Sequence, residues 1–323
     1  MTADLITGIW KLLLVGASWC LVGVIFGMAP KKKLDTDLIQ FMSAIVSILA
    51  SVIIALFFIP PASCALKTVL VACCIYFWSG FMNFWGLQAM GAGMARGPNG
   101  AVWGIMQSAM IAPFTVGFLF FHQEMSIGRG LGLILIVAAL VLFAQAKNGK
   151  SPEQAGKTVS SWRFFALLAF ALICVQQSLA TIPSYYPEAQ NVSAVLKTLA
   201  SAAGSFAASL FPFTLNALRN PKQLKQTFSG IANPWLYIFV FAMQFFGLIF
   251  AYTCFYPGMD AMARANAGSI SYPLMVGSCI VSFSLYAVIG LKEKATPKQV
   301  TAIVLCLLGL IGICMTAGPS LIL

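Results

Sequence analysis

Charge is what this chain has least of. Only 8% of its 323 residues are Asp, Glu, Lys or Arg, 60% are hydrophobic, and the mean hydropathy is +0.91. A soluble domain carries roughly 25% charged residues to coat its surface. With so little polar surface the chain must face lipid, as an integral membrane protein. Histidine is almost absent: the single one, His122, excludes histidine-rich metal catalysis. There are nine cysteines but no CxxC pair, and most, such as Cys73, Cys74, Cys254 and Cys306, lie in apolar segments. They read as small packing residues rather than disulfides or a metal site. No GxxxxGK[ST] loop is present, so energy for any work must come from a gradient. No cofactor or metal is expected. The 19 Lys and Arg residues are spread over short loops rather than gathered on one helix or tail, so the net charge of +11 is no nucleic-acid signature. No cleavable signal peptide is expected, since Asp4 and no base precede the first apolar run.

What remains is apolar runs and their punctuation. A helix crosses the hydrocarbon with about 20 apolar residues. Ten such segments are expected, at 6–28, 38–59, 68–90, 100–121, 130–146, 164–182, 192–217, 235–257, 266–290 and 300–317. Polar breaks such as APKKKLDTD, HQEMSIGRG and LRNPKQLKQ separate them. The fold class is all-α and membrane-embedded, with no room for a soluble domain. Loops after the first, third, fifth, seventh and ninth spans hold fourteen bases, from Lys31 to Lys298. The other side holds four: Lys11, Lys67, Arg129 and Arg264. Because cytoplasmic loops retain Lys and Arg, this bias predicts an inner (plasma) membrane protein with both termini outside.

The chain also repeats itself. MARGPNG at 94–100 and MARANAG at 262–268 share Met-Ala-Arg with a Gly four residues on. Each opens an apolar segment running to a glutamate, Glu124 or Glu293, and Trp10-Lys11 and Trp162-Arg163 open matching helices further upstream. The expected organisation is two five-helix units, 1–149 and 150–323, joined as one membrane domain. An odd number of helices inverts the second unit, and inverted repeats are a common build of secondary transporters with a midplane site.

These features resemble the drug/metabolite transporter superfamily, and within it the bacterial L-rhamnose–proton symporters. The patches carrying the resemblance are GMAPKKK at 27–33, WSGFMNFWGLQAMGAGMARG at 78–97, GLIFAYTCFYPG at 247–258 and YAVIGLKE at 286–293. The resemblance implies proton-coupled uptake of a monosaccharide such as L-rhamnose. The alternative is an exporter of amino acids or amphipathic aromatics from the same superfamily. An embedded enzyme would need a paired-carboxylate, nucleophile or metal constellation, and a channel would need rings of charge or a carbonyl filter; neither is visible.

Charge inside a span is expensive and faces a cavity or a partner. Lys197, about seven residues into the expected seventh helix, is therefore a candidate for substrate contact and coupling, unless it snorkels to the outer surface. Asp260, placed just beyond the expected eighth helix, is its natural partner and a coupling candidate; otherwise it caps the ninth helix. Glu124 and Glu293 read as structural caps. Arg96 and Arg264 read as headgroup anchors or edge ion pairs.

Hydroxyl-rich ligands need amides, which donate and accept together, and aromatic planes. The substrate-binding candidates are accordingly Asn83, Trp85, Gln88, Trp103, Gln107, Gln176, Lys197, Tyr252 and Tyr272, with Gln177 and Gln244 in the same class. Trp103 and Gln107 are four apart and so share a helix face. Each amide could equally glue helices together. The small-residue stripe of the seventh helix, with Gly309 and Gly312, permits close packing or a homodimer. The expected partners are thus a small-molecule substrate, a proton and membrane lipid.

Overall fold

The computed structural model describes residues 2–58, 64–97, 99–123, 125–146, 161–219, 228–286, 289 and 296–314. Glu124 and Glu293 lie outside them, as do most bases of the loops after the fifth, seventh and ninth expected spans. The described secondary structure is all helical. In chain order the helices are α1 (Ala3–Met28), α2 (Thr36–Phe58), α3 (Leu66–Met94), α4 (Asn99–Gln107), α5 (Ile111–Phe121), α6 (Ile127–Ala146), α7 (Ser161–Thr181), α8 (Pro187–Gln190), α9 (Ala194–Arg219), α10 (Pro234–Phe250), α11 (Tyr256–Arg264), α12 (Ser271–Leu285) and α13 (Pro297–Cys314). Among the described residues nine helical segments are long and apolar enough to cross a bilayer. A shorter apolar helix, Ile127–Leu142, stands where the fifth span was expected. Side chains such as Leu56, Phe57, Phe58 and Phe120 are more than two-thirds exposed, the outward apolar coat that lipid requires.

Local chemistry sets the helix ends. Thr2 caps α1 by accepting from the Leu5 amide at 3.3 Å, with Asp4 in the positive first turn. Ser193 does the same for the Leu196 amide at 3.3 Å before α9. Asn233 accepts from the Trp235 amide at 3.1 Å, with Pro234 at the first turn of α10. His122 closes α5 in the left-handed conformation (φ 48°).

Two expected spans are broken. The fourth is α4 and α5 joined by a 3-10 turn, Ser108–Met110. Pro113 lacks the amide that would bond four residues back, and the freed carbonyl of Ala109 takes the Cys174 thiol at 3.8 Å instead. The eighth does not end at Pro257. A π-helical turn, Ala251–Phe255, lets Pro257 fall in the first turn of a new helix, α11, which runs on to Arg264.

The long packing pairs are α3 with α7 and α9, α1 with α11 and α12, α2 with α9 and α10, α4 and α5 with α7, and α6 with α13. Glycines make the closest crossings. A Cβ on Gly80 would strike the Ser201 backbone, and one on Gly204 the Phe77 backbone. Gly132 and Gly309 press on one another, with a Cβ on either 2.6–2.8 Å from the other's carbonyl oxygen. The small faces of α9 and α13 are therefore packed against α3 and α6.

Interactions sort the loops to two ends of the bundle. At one end Arg264 pairs with Asp4 at 3.0 Å, Thr68 donates to Glu188 at 3.2 Å, and the Gly268 amide donates to Gln123 at 2.8 Å. At the other, Asn233 donates to the Lys32 carbonyl at 2.9 Å, and Lys32 stands 3.8 Å above the Trp235 ring. Arg96 also lies at that second end, 4.6 Å over Phe165.

Candidate functional site: a central cavity beside a buried ion pair

A cavity of about 280 Å³ lies near the middle of α1 and α3. Its polar wall is Asn83, Gln107, Gln176 and Gln177 with the hydroxyls of Ser18, Ser79 and Ser201. Its apolar wall is Trp19, Trp103, Phe246, Phe250 and Phe255, with Tyr256 at the edge near α9. Several polar groups are already engaged. Gln176 donates to Ser79 Oγ at 3.5 Å, Ser79 donates to the Gln176 carbonyl at 3.1 Å, and Gln107 reaches the Cys279 sulfur at 3.9 Å. Gln177 is 3% exposed; its backbone carbonyl accepts from the Thr181 hydroxyl at 2.7 Å, while its side-chain amide oxygen Oε1 has no partner among the described residues. An acceptor so placed carries a desolvation cost that a ligand hydroxyl would relieve.

One helical turn from this cavity sits an ion pair. Lys197 Nζ lies 2.6 Å from Asp260 Oδ2, with side chains 1% and 10% exposed. Ser201 follows Lys197 by four residues and Tyr256 precedes Asp260 by four, so each helix shows one residue to the cavity and the next turn to the pair. The Tyr256 hydroxyl donates to the Lys197 carbonyl at 3.4 Å and its ring meets Tyr76 edge-on at 4.9 Å. Tyrosine thus separates cavity from charge.

The sequence expectations divide accordingly. Asn83, Trp103, Gln107 and Gln176 all line the cavity, and Gln177 joins them. Trp85 does not: it packs edge-on against Phe84 and Phe211, and Phe211 is 57% exposed, so this ring belongs to the outer side of α3 and α9. Gln88 is off the cavity, beside Asp37 at the start of α2. Gln244 is not in the lining. Tyr252 donates to Ser51 at 3.3 Å, gluing α2 to the π turn. Tyr272 is buried one layer behind the cavity, with Trp19 and Phe255 at 6.0 and 6.3 Å.

Lys197 neither snorkels nor lies two turns deep: α9 begins at Ala194, yet Asp260 and the surrounding helices bury the lysine completely. Asp260 caps nothing, because α11 extends past it. Arg264 makes an edge ion pair with Asp4 and bonds Gln190 at 3.4 Å. The residues that sequence reasoning passed over are Ser18, Trp19 and Ser79. Trp19 beside Ser18 in mid-span was the available signal, but small hydroxyls are too common in membrane helices to stand out.

No protein-family model matches the sequence, and no curated protein matches it. A protein of known crystal structure is similar in fold, with a TM-score of 0.62 over 93% of this chain and 95% of that one, at 12% identity. At that identity the likeness speaks to fold alone. The many apolar helices around a polar cavity are compatible with a membrane transporter.

Proposed function

We propose that this chain is a secondary active transporter of a small polar metabolite, taking up a monosaccharide such as L-rhamnose with protons by alternating access. The observation that carries this reading is the amide- and tryptophan-lined cavity one turn from a buried lysine–aspartate pair. At about 280 Å³ the cavity lies at the small end of the range of about 300–1,000 Å³ usual for ligand sites. Amides and serines suit hydroxyls, and the Trp19 and Trp103 rings suit the apolar face of a deoxy sugar. The ion pair can answer a proton with a change of charge, which coupling needs.

An inverted repeat of ten helices is supported by the packing. Shifting each expected span by five carries the third–sixth pair (α3 with α7) onto the eighth–first (α11 with α1). The same shift carries third–seventh (α3 with α9) onto eighth–second (α10 with α2), and fourth–sixth (α4 and α5 with α7) onto ninth–first (α12 with α1). The second–seventh and fifth–tenth pairs map onto themselves. Two halves related in this way can rock about a central site. The Lys32 end, with Lys31, Lys33 and Arg96, would face the cytoplasm of a bacterial inner membrane, leaving both termini outside. On this reading the chain is a carrier and performs no chemistry on its cargo.

The aromatic wall of Phe246, Phe250 and Phe255 favours a second reading, export of aromatic or amphipathic compounds. Uptake into proteoliposomes decides between them. Labelled L-rhamnose is expected to accumulate under an inward proton gradient, to be competed by close stereoisomers, and to stop doing so when the gradient is collapsed. Asn83→Ala removes a donor and an acceptor from the cavity and is expected to lower sugar uptake about tenfold or more, as for a lost substrate hydrogen bond. Efflux of aromatic amines that is indifferent to Asn83→Ala, with no sugar uptake, would favour the exporter.

A further inference from the structure

The ion pair uses only half of Asp260. Oδ2 is held by Lys197, whereas Oδ1 is buried with no well-formed hydrogen bond among the described residues. Two buried hydroxyls near this carboxyl, Ser184 Oγ and Tyr76 OH, likewise have no partner of good hydrogen-bond geometry among the described residues. Ser184 is 1% exposed, in the 3-10 turn after α7, and its hydroxyl lies close enough to interact with both the Asp260 carboxyl and the Tyr76 hydroxyl, though neither contact is a well-aligned hydrogen bond. Tyr76 is wholly buried in α3, its ring against Tyr256. Native interiors leave few such atoms unsatisfied, and each one asks for an explanation. Here they gather around one carboxyl.

We propose that Asp260 Oδ1 is the proton-binding atom of this protein, with Ser184 and Tyr76 as the positioning hydroxyls that receive and orient the proton there. This rests on the transport reading for its purpose, but the site itself does not need a substrate. A hydronium ion gives its proton to Oδ1 and leaves as water. The new O–H donates to Ser184 Oγ, whose own hydrogen turns toward Tyr76. The carboxyl is then neutral, and its hold on the Lys197 ammonium falls from a charge pair to a hydrogen bond. Lys197 is left as a cation one turn from Ser201 and the cavity, where hydroxyl oxygens of a ligand can take over. The other charged and titratable groups around Asp260 are Arg264 on its own helix, Asp4 and Lys11 on α1, Tyr185 beside Ser184, and Tyr256. Arg264 is engaged with Asp4, whereas Lys197 is bonded to Asp260 directly, so among the described residues Lys197 is the cation that this protonation loosens.

Infrared difference spectra of the purified full chain, between neutral and acidic pH and without substrate, test this. A carboxylic acid C=O band is expected on acidification, lost in Asp260→Asn and moved to higher wavenumber in Ser184→Ala, which removes the acceptor of the new O–H, and less far in the same direction in Tyr76→Phe, which removes the group that orients Ser184. Tyr76→Phe is nearly isosteric and guards against a packing artefact at Ser184. A band that persists in Asp260→Asn, or one that neither hydroxyl variant moves, overturns the proposal. The outcome is independent of the transport reading. Proton-driven uptake without an Asp260 band sinks this site alone. The band without any uptake leaves the site standing and removes the transport reading.

Discussion

Replacing Lys197 by Met is expected to cost the folded protein about 3–5 kcal/mol, and adding Asp260→Asn to the same chain is expected to recover most of that loss. The two side chains are 2.6 Å apart with almost no exposure. Removing one partner leaves the other charge buried and uncompensated, which is the expensive state; removing both leaves neutral groups of similar volume. Asp260→Asn alone strands the lysine and is expected to be about as damaging as Lys197→Met. Thermal unfolding of the four proteins in one detergent measures the coupling, which appears as a double-mutant energy well above experimental scatter. Additive losses would mean that the pair is not what holds α9 to α11. The same set probes function. All three variants are expected to lose gradient-driven accumulation, while the stable double variant still exchanges labelled for unlabelled substrate with no gradient.

The second large effect lies at the crossing of α3 and α9. Gly204→Val is expected to unfold the protein or lower its stability beyond the 1–3 kcal/mol usual for overpacking. A Cβ there meets the Phe77 carbonyl and comes within 3.0 Å of the Phe81 amide nitrogen, and backbone cannot swing aside as a side chain does. Separating the helices would also break the bond from Ser205 Oγ to the Gly80 carbonyl, 2.9 Å in the native packing. Gly247→Ala is the control. It lies on the cavity wall with nothing among the described residues within 4 Å of an added Cβ, so a near-native melting temperature is expected. Equal losses from the two substitutions would show that the crossing is not under this constraint.

Both expectations concern residues that the sequence singled out only partly. Lys197 and Asp260 were legible because charge within or beside an apolar run is rare and needs a partner. Their depth is not legible there, for two separate reasons. The start of α9 depends on Ser193 as cap, and the persistence of α11 past Pro257 depends on a π turn, which no apolar count reveals. The amides divided by helix rotation. Asn83 and Gln176 face the cavity, whereas Gln88 lies on another side of α3, and only the packing of α3 on α7 and α9 sets which side points inward. Trp85 shows the same limit: a tryptophan two residues from a cavity residue points to the opposite part of its helix.

The sequence by itself determined that the chain is a helical membrane protein, because a chain with 8% charge and runs of about 20 apolar residues has no other way to satisfy its backbone. It also set apart the amides and the two opposite charges that lipid would not tolerate. The tertiary structure decided which of them meet. It broke two spans at prolines, brought glycine faces of α3 and α9 to backbone contact, and so set Asp260 on Lys197 one turn from a cavity of amides. Those are matters of helix rotation and axial shift, fixed by contacts between residues far apart in the chain, and no local run of residues encodes them.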